Sequence, residues 1–350
     1  MNNIGHSDSI LGMLEQAVSL PKQKWPMGTT PLVSISCTVY NQVGYIERCI
    51  QGFLSQETTF PVEILIHDDA STDGTTDILR KYEQKFPGLI NLTCQVENQF
   101  SKGINVNEFN FRKAKGRYVA LCHGDDYWTD NLKLEKQVSV IKEMGVSICG
   151  HPAREIDVEG KDLNRLTGLQ VQSVAKFSPK VLINRNGNML PFGSIMITEA
   201  AKEKMLANMP PVMFHTGIQM LGALDAGIAV MPDVMSAYRT NVPGSTTEIM
   251  LGSYSKRLRT ARKRVASIKH LKAMYGKDYF DDFDRLLARQ ATSFLAQRKV
   301  REAISIIRDS LRDESSHSKF RIVSSFSYFW CKLTAQRIIK IFGGLRKAEC

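Results

Sequence analysis

Two apolar runs that each stop at a pair of carboxylates constrain this chain more than any other feature. The first, Val62–Ile66, passes through His67 into Asp68-Asp69 and then Ala70-Ser71-Thr72-Asp73-Gly74-Thr75. The second, Tyr118–Cys122, passes through His123-Gly124 into Asp125-Asp126-Tyr127-Trp128. Each run has the length and side chains of a buried strand, and each is followed by a helix-like segment. In an open α/β sheet, ligands bind outside the carboxyl ends of the strands. Two acidic ends of this kind describe a crevice suited to a nucleotide and its divalent cation.

The rest of the first 150 residues keeps the same rhythm. Val33–Thr38 predicts a strand, and Tyr45–Gln56 a helix with Ile46, Cys49, Ile50, Phe53 and Leu54 on one face. Asp73–Phe86 predicts a helix turning Ile78, Leu79, Tyr82 and Phe86 inward, and Ile90–Cys94 and Val146–Cys149 add strands. Alternation of this sort builds a doubly wound, mostly parallel sheet. From Gly150 to Gly187 the pattern fades into turns. Phe192–Glu199 and Gly227–Met235 then predict short strands around a helix at Gly217–Asp225. After Tyr254 the chain reads helical, with a hairpin over Asp282–Leu311 and an aromatic, basic helix over Phe320–Leu345. The expected organisation is an N-terminal extension (1–30), an α/β domain (31–253, its halves 31–150 and 151–253) and a helical C-terminal region (254–350).

Bulk properties narrow the class. At 350 residues, with 43% hydrophobic and 23% charged residues, the chain suits a globular fold rather than a disordered one. No apolar run reaches the ~18–20 residues that cross a bilayer, and the N-terminus lacks a signal-peptide core. The expected location is therefore cytoplasmic. The seven cysteines form no CxxC pair and read as small buried hydrophobes rather than disulfides or zinc ligands. The net charge of +11 gathers late: Lys256–Lys272 carries eight Lys and Arg residues and no acid. That basic surface implies an anionic partner or else a solvated helix face. The C-terminal helix suits either packing in a core or homodimer, or lying on an anionic membrane surface at the inner face of the plasma membrane. No RNA or DNA motif accompanies the charge, so nucleic acid is not expected as a partner.

Chemistry at the strand ends follows from residue type. Thr38 offers a polar contact and Tyr40 a stacking surface for a base, and Asp68 or Asp69 can accept from a pyrimidine imide. Asp125, with Asp126 beside it, supplies hard oxygen ligands for Mg²⁺ or Mn²⁺.

Together, Val33–Asn41, Leu54-Ser55-Gln56, Asp68–Thr75, Ala114–Tyr118 and Gly124–Trp128 resemble the family 2 glycosyltransferases. The likeness continues more loosely through Pro232–Arg239. It implies the GT-A fold and inverting transfer of a sugar from a nucleotide-sugar. It further implies that Thr38 and Tyr40 hold the base, and that Asp69 or its neighbour Asp68 reads the pyrimidine edge. Asp125 would bind the metal, Asp126 would lie by the donor sugar or ribose, and Arg239 would contact the diphosphate. A UDP- or dTDP-sugar donor and a cell-surface glycan or lipid-linked acceptor are the expected substrates.

Two departures from the family pattern stand out. His123 occupies the position where the metal motif usually begins with an acid, and is read either as a ligand or as a structural residue. An inverting transferase needs a general base, yet Phe214–Met220 contains no carboxylate where the family supplies an Asp. His215, whose ordinary pKa suits a base near neutrality, is the substitute, with Asp225 and Asp233 behind it. These departures sustain an alternative, a degenerate nucleotide-sugar-binding scaffold without transferase activity. A nucleotidyltransferase is rejected, because Thr38–Gly44 lacks a Gly-rich phosphate loop with Arg.

Overall fold

The computed structural model describes residues 17–26, 28–208, 215–243, 254–297 and 299–345. Two compact units emerge: Met1–Leu182 with Asn188–Ser245, and Ile183–Gly187 with Thr246–Cys350.

The first unit is built on an eight-stranded sheet. Its parallel part is built on β1 (Val33–Val39), flanked by β2 (Val62–Asp68), outside which lies β3 (Ile90–Cys94), and on the other side by β4 (Tyr118–His123). All seven residues of β1 are buried, as both faces of a parallel sheet are covered by helices. The helix Ile46–Leu54 covers one face with Ile46, Cys49, Ile50 and Phe53, all fully buried. Of the residues expected inward on helix Thr75–Lys85 and its end, Leu79 is fully buried, while Ile78, Tyr82 and Phe86 pack partly buried against the same core. Gly116 leaves room where a Cβ would come within 2.5 Å of the Ser34 nitrogen, so the loop entering β4 can press against β1.

Beyond β4 the sheet becomes mixed. Met196–Thr198 runs antiparallel to β4 and to Ile148–Gly150, which pairs in parallel with Ile228–Val230; Ala175–Phe177 adds an antiparallel edge. A second, four-stranded sheet orders Asp162–Thr167, Ala153–Ile156, Ser236–Arg239 and Tyr127–Trp128. Pairing of Ser236 with Trp128 and Ala237 with Tyr127 brings Arg239 to the carboxylates that end β4.

Some expectations need correction. The strand expected over Phe192–Glu199 begins as a 3₁₀ turn, Phe192–Ser194, because Pro191 and a bond from Ser194 Oγ to the Pro191 carbonyl close the backbone first. The strand expected over Gly227–Met235 is confined to Ile228–Val230, since Pro232 has no N–H to extend a ladder. The featureless stretch after Gly150 holds a β-hairpin with a register shift between Asp162 and Leu166. Cys37, Cys49, Cys122 and Cys149 are buried as expected, whereas Cys94 and Cys331 are exposed. Within 1–30, Val18–Ser19 pairs with Glu57–Thr58 and Leu20 is buried.

The second unit is helical: Tyr254–Tyr275, Phe280–Ala296, Val300–Leu311 and Ser316–Leu345. Leu286, Leu287, Ala291, Ala303 and Ile306 fill its core. Lys272 is buried there, bonded to Asp284 (2.5 Å), Glu314 (2.6 Å) and Ser318 (2.9 Å), so its charge is matched locally. Among the described residues no helix is long and apolar enough to cross a membrane.

Candidate active site

Register places the functional residues before any side chain is considered. Thr38 lies opposite His67 on one side and His123 on the other, and Val39 lies opposite Asp68. The carboxyl ends of three adjacent parallel strands therefore converge on one crevice.

One wall is a pair of interlocked loops. Asn41, at φ 51°, accepts the Thr72 N–H on Oδ1 (2.8 Å) and donates its own N–H to Ser71 Oγ (2.9 Å). The Gln42 and Val43 N–H groups donate to Thr75 Oγ1 (2.9 Å) and Asp73 Oδ2 (3.0 Å). Burial alone would raise the Asp73 pKa, but the donors Thr75 and Val43 outweigh it and hold the carboxyl below its ordinary value. Tyr40, at the head of this loop, is 47% exposed and presents an open aromatic surface.

The two carboxylates after β2 are both engaged. Asp68 accepts from the Ser71 N–H (3.1 Å), Ser71 Oγ (2.6 Å) and the Thr76 hydroxyl. Asp69 accepts from the N–H groups of Gln99 (2.7 Å) and Phe100 (3.0 Å), which folds the 97–103 loop over the strand end. Behind it the buried His67 stacks on Phe109 (4.5 Å), with Nε2 3.7 Å from Asp69 Oδ1. Asp68 thus shapes its own turn, and Asp69 ties that turn to the next loop. Ala70, directly after Asp69, adopts φ 67°, a region that favours glycine.

At the end of β4, ligand atoms of His123, Asp125 and Asp126 lie within 4.8 Å of one another. Burial raises the pKa of Asp125, and burial with repulsion from Asp125 pushes Asp126 well up. Burial also lowers His123 to about 4, keeping its imidazole neutral near pH 7. Two carboxylates that repel each other beside a neutral imidazole are a donor set that a hard divalent cation relieves, so the residues fit Mn²⁺ or Mg²⁺. The His123 ring stacks on Phe192 at 3.8 Å, which fixes its plane.

Arg239 is built into this turn. Its N–H donates to Asp126 Oδ1 (2.9 Å), Nε to the Asp125 carbonyl (3.0 Å), and Nη1 to the carbonyls of Asp157 (2.9 Å) and Val158 (2.8 Å). The guanidinium also lies over the Tyr45 ring at 4.5 Å. At 6% exposure, Arg239 clasps the acidic turn to the β-hairpin loop.

Several residues passed over in the sequence complete the site. Segment 189–194 runs from His215 to His123 and is fastened along its length by side chains. His215 opens the helix His215–Ala223, with Nε2 3.3 Å from the Leu190 carbonyl. Gln219 on that helix accepts from the Met189 and Leu190 N–H groups and donates back to the Leu190 carbonyl. Trp128 Nε1 donates to the Gly193 carbonyl (2.8 Å) and Gln137 Nε2 to the Ser194 carbonyl (2.7 Å). Gln137 in turn accepts from Lys133 Nζ (2.6 Å), a fully buried ammonium 4.0 Å over the Trp128 ring. A Cβ on Gly193 would sit 3.6 Å from Asp126 Oδ2, so this turn borders the acidic pair. The signal in the sequence was slight: Lys133 and Gln137 lie one helical turn apart beside the apolar stripe of Leu134, Val138 and Ile141.

The fallback bases have other partners: Asp225 pairs with Lys204 and Asp233 with Lys136. Phe214, the first residue of the segment expected to supply the base, lies outside the described residues.

Comparison with known proteins agrees with this architecture. Residues 34–202 match the family model described as Glycosyl transferase family 2. An uncharacterized protein of Mycobacterium tuberculosis is 34% identical over 216 residues, covering 61% of this chain and 59% of that protein. The chain thus spans less than two thirds of that relative. The UDP-Glc:alpha-D-GlcNAc-diphosphoundecaprenol beta-1,3-glucosyltransferase WfaP of Escherichia coli is 36% identical over 108 residues, 31% of this chain and 40% of that one. In fold, the chain is similar to S. aureus TarS 1-349 in complex with UDP-GlcNAc. The TM-score is 0.54 at 15% identity, over 87% of this chain and 92% of that one. The mostly parallel sheet flanked by helices is the GT-A fold, and residues 34–202 within it, just under half of the chain, form a glycosyl transferase family 2 domain.

Proposed function

We propose that the chain transfers a sugar, with inversion, from a UDP- or dTDP-sugar to a cell-surface glycan or lipid-linked acceptor at the cytoplasmic face of the plasma membrane. The observation that carries the reading is the grouping of His123, Asp125 and Asp126 within 4.8 Å at the end of β4, in register with Thr38. The functions of similar proteins, UDP-Glc-dependent glucosyl transfer onto a diphosphoundecaprenol-linked acceptor by the E. coli enzyme and UDP-GlcNAc binding by TarS, support the donor class and the lipid-linked acceptor.

In this reading Tyr40 stacks on the base, Thr38 contacts it, and Asp69 rather than Asp68 reads the pyrimidine edge. The preference for Asp69 rests on the donors to Asp68, all three of which come from the segment Ser71–Thr76 that follows it. Asp125 and His123 would hold the cation, which would supply positive charge against the departing diphosphate. Asp126, held by the Arg239 N–H, lies beside the donor sugar. Arg239 assists the diphosphate side mainly by holding the Asp125 carbonyl in place. His215, against the Leu190 carbonyl, takes the acceptor proton.

The test is calorimetric titration of UDP with and without Mn²⁺, on the native chain and on Asp125→Ala. The native chain should bind UDP only with the metal, and Asp125→Ala should weaken that binding by about a hundredfold, roughly 2.7 kcal/mol. Equal affinity in the variant would remove the site assignment. Failure of the native chain to bind UDP, dTDP or GDP under either condition would favour the non-catalytic scaffold.

A further inference from the structure

The helical unit carries a surface that donor chemistry does not use. Helix Ser316–Leu345 has 30 residues and no acid, and includes Lys319, Arg321, Lys332, Arg337 and Lys340. One side is packed: Ser318, Ile322 and Phe326 are buried and Arg321 pairs with Asp281. On the other side Phe320 is 72% exposed, Tyr328 63% and Val323 44%. At 3.6 residues per turn these three fall within an arc of about 140° centred opposite Ile322, which they share with the exposed His317, Ser324, Ser327 and Cys331. Lys319 and Lys332, both exposed, lie at the two borders of that arc.

We infer that this face is a docking surface for an anionic lipid bilayer, with the helix lying in the plane of the head groups. Exposed rings bordered by lysines suit that interface, since the rings enter the acyl boundary while the ammonium groups reach up to lipid phosphates. Charge selects the occupant. Helix Tyr254–Tyr275 of the same unit is also free of acids, and its exposed Lys256, Arg259 and Lys263 have no ion pair among the described residues. A second copy of the chain would set its own Lys319 and Lys332 against these lysines, whereas an anionic bilayer neutralises them. No described helix is apolar enough to cross a membrane, so the contact is one of lying on the surface. The inference stands independently of the donor reading.

The experiment is co-sedimentation of the full chain with vesicles of phosphatidylcholine alone and of a three-to-one mixture with phosphatidylglycerol. The anionic vesicles should be preferred by at least about tenfold, given about fivefold for each lysine near the surface. Phe320→Ser with Tyr328→Ser should lose about tenfold for each ring no longer buried, with an unchanged thermal transition as the control for folding. Lys319→Glu with Lys332→Glu offers a second route to the same loss. Equal binding to both vesicles, or variants that sediment like the native chain, would overturn the inference. So would a dimer in light scattering that the Phe320→Ser, Tyr328→Ser variant dissociates, because a second copy would then be the occupant. UDP binding, measured in parallel, should not change in either variant.

Discussion

Replacing Lys133 with methionine gives a pH signature that can be worked from the structure. Lys133 is fully buried, and burial lowers its pKa from 10.5 to about 7. Between these values the unfolded chain holds a proton that the folded chain has released, so native stability rises with pH across that window. Lys133→Met fills nearly the same volume and cannot titrate. The stability of the native chain relative to the variant should therefore rise by about 3 kcal/mol from pH 6.5 to 9.5, close to 1.4 kcal/mol per unit once folded Lys133 has lost its proton. Neighbouring Cys149 is pushed up to about 12 and His151 down to about 3, so neither titrates inside the window in the folded state. Groups that titrate alike in both proteins cancel in the difference. Urea denaturation of both chains at pH 6.5, 8 and 9.5 measures it directly. A difference that stays flat across the range would mean that Lys133 keeps its proton in the folded chain, and the argument from burial would fail.

Two further outcomes are expected. Ala70→Gly should stabilise the native chain by about 0.5–1 kcal/mol, because φ 67° strains an alanine and not a glycine, less the entropy glycine adds to the unfolded state; a lower urea midpoint would contradict this. Arg239→Ala should cost roughly 3 kcal/mol by removing its side-chain bonds to three carbonyls. The same variant should weaken Mn²⁺-dependent UDP binding as the acidic turn loosens, and unchanged affinity in calorimetry would assign Arg239 to the hairpin alone.

The parts of this molecule legible in the sequence are those whose physics is local. Strands buried on both faces read as short apolar runs, so Val33–Val39 and Val62–Asp68 were evident within two residues of their ends. The carboxylates stood out because an acid directly after such a run has no place in a core. What stayed hidden depends on bonds between side chains and distant backbone. Trp128 meets Gly193 across 65 positions, Gln137 meets Ser194 across 57, and the Arg239 N–H meets Asp126 across 113. None of these residues departs from ordinary composition: a lysine in the first turn of a helix reads as surface, and an arginine after a short strand reads as a ligand contact. Arg239 shows the consequence. The family resemblance implies a diphosphate contact for its charge, and the fold uses Nε and Nη1 to satisfy three carbonyls exposed by the turn that ends β4 and by the hairpin loop. A buried carbonyl left without a donor costs about 1–3 kcal/mol, so a chain that brings two acidic loops together must place a multidentate cation between them. The same requirement accounts for the glutamines and the tryptophan along segment 189–194. The geometry of the site is held largely by donors to main-chain oxygen, which no spacing of residue types announces.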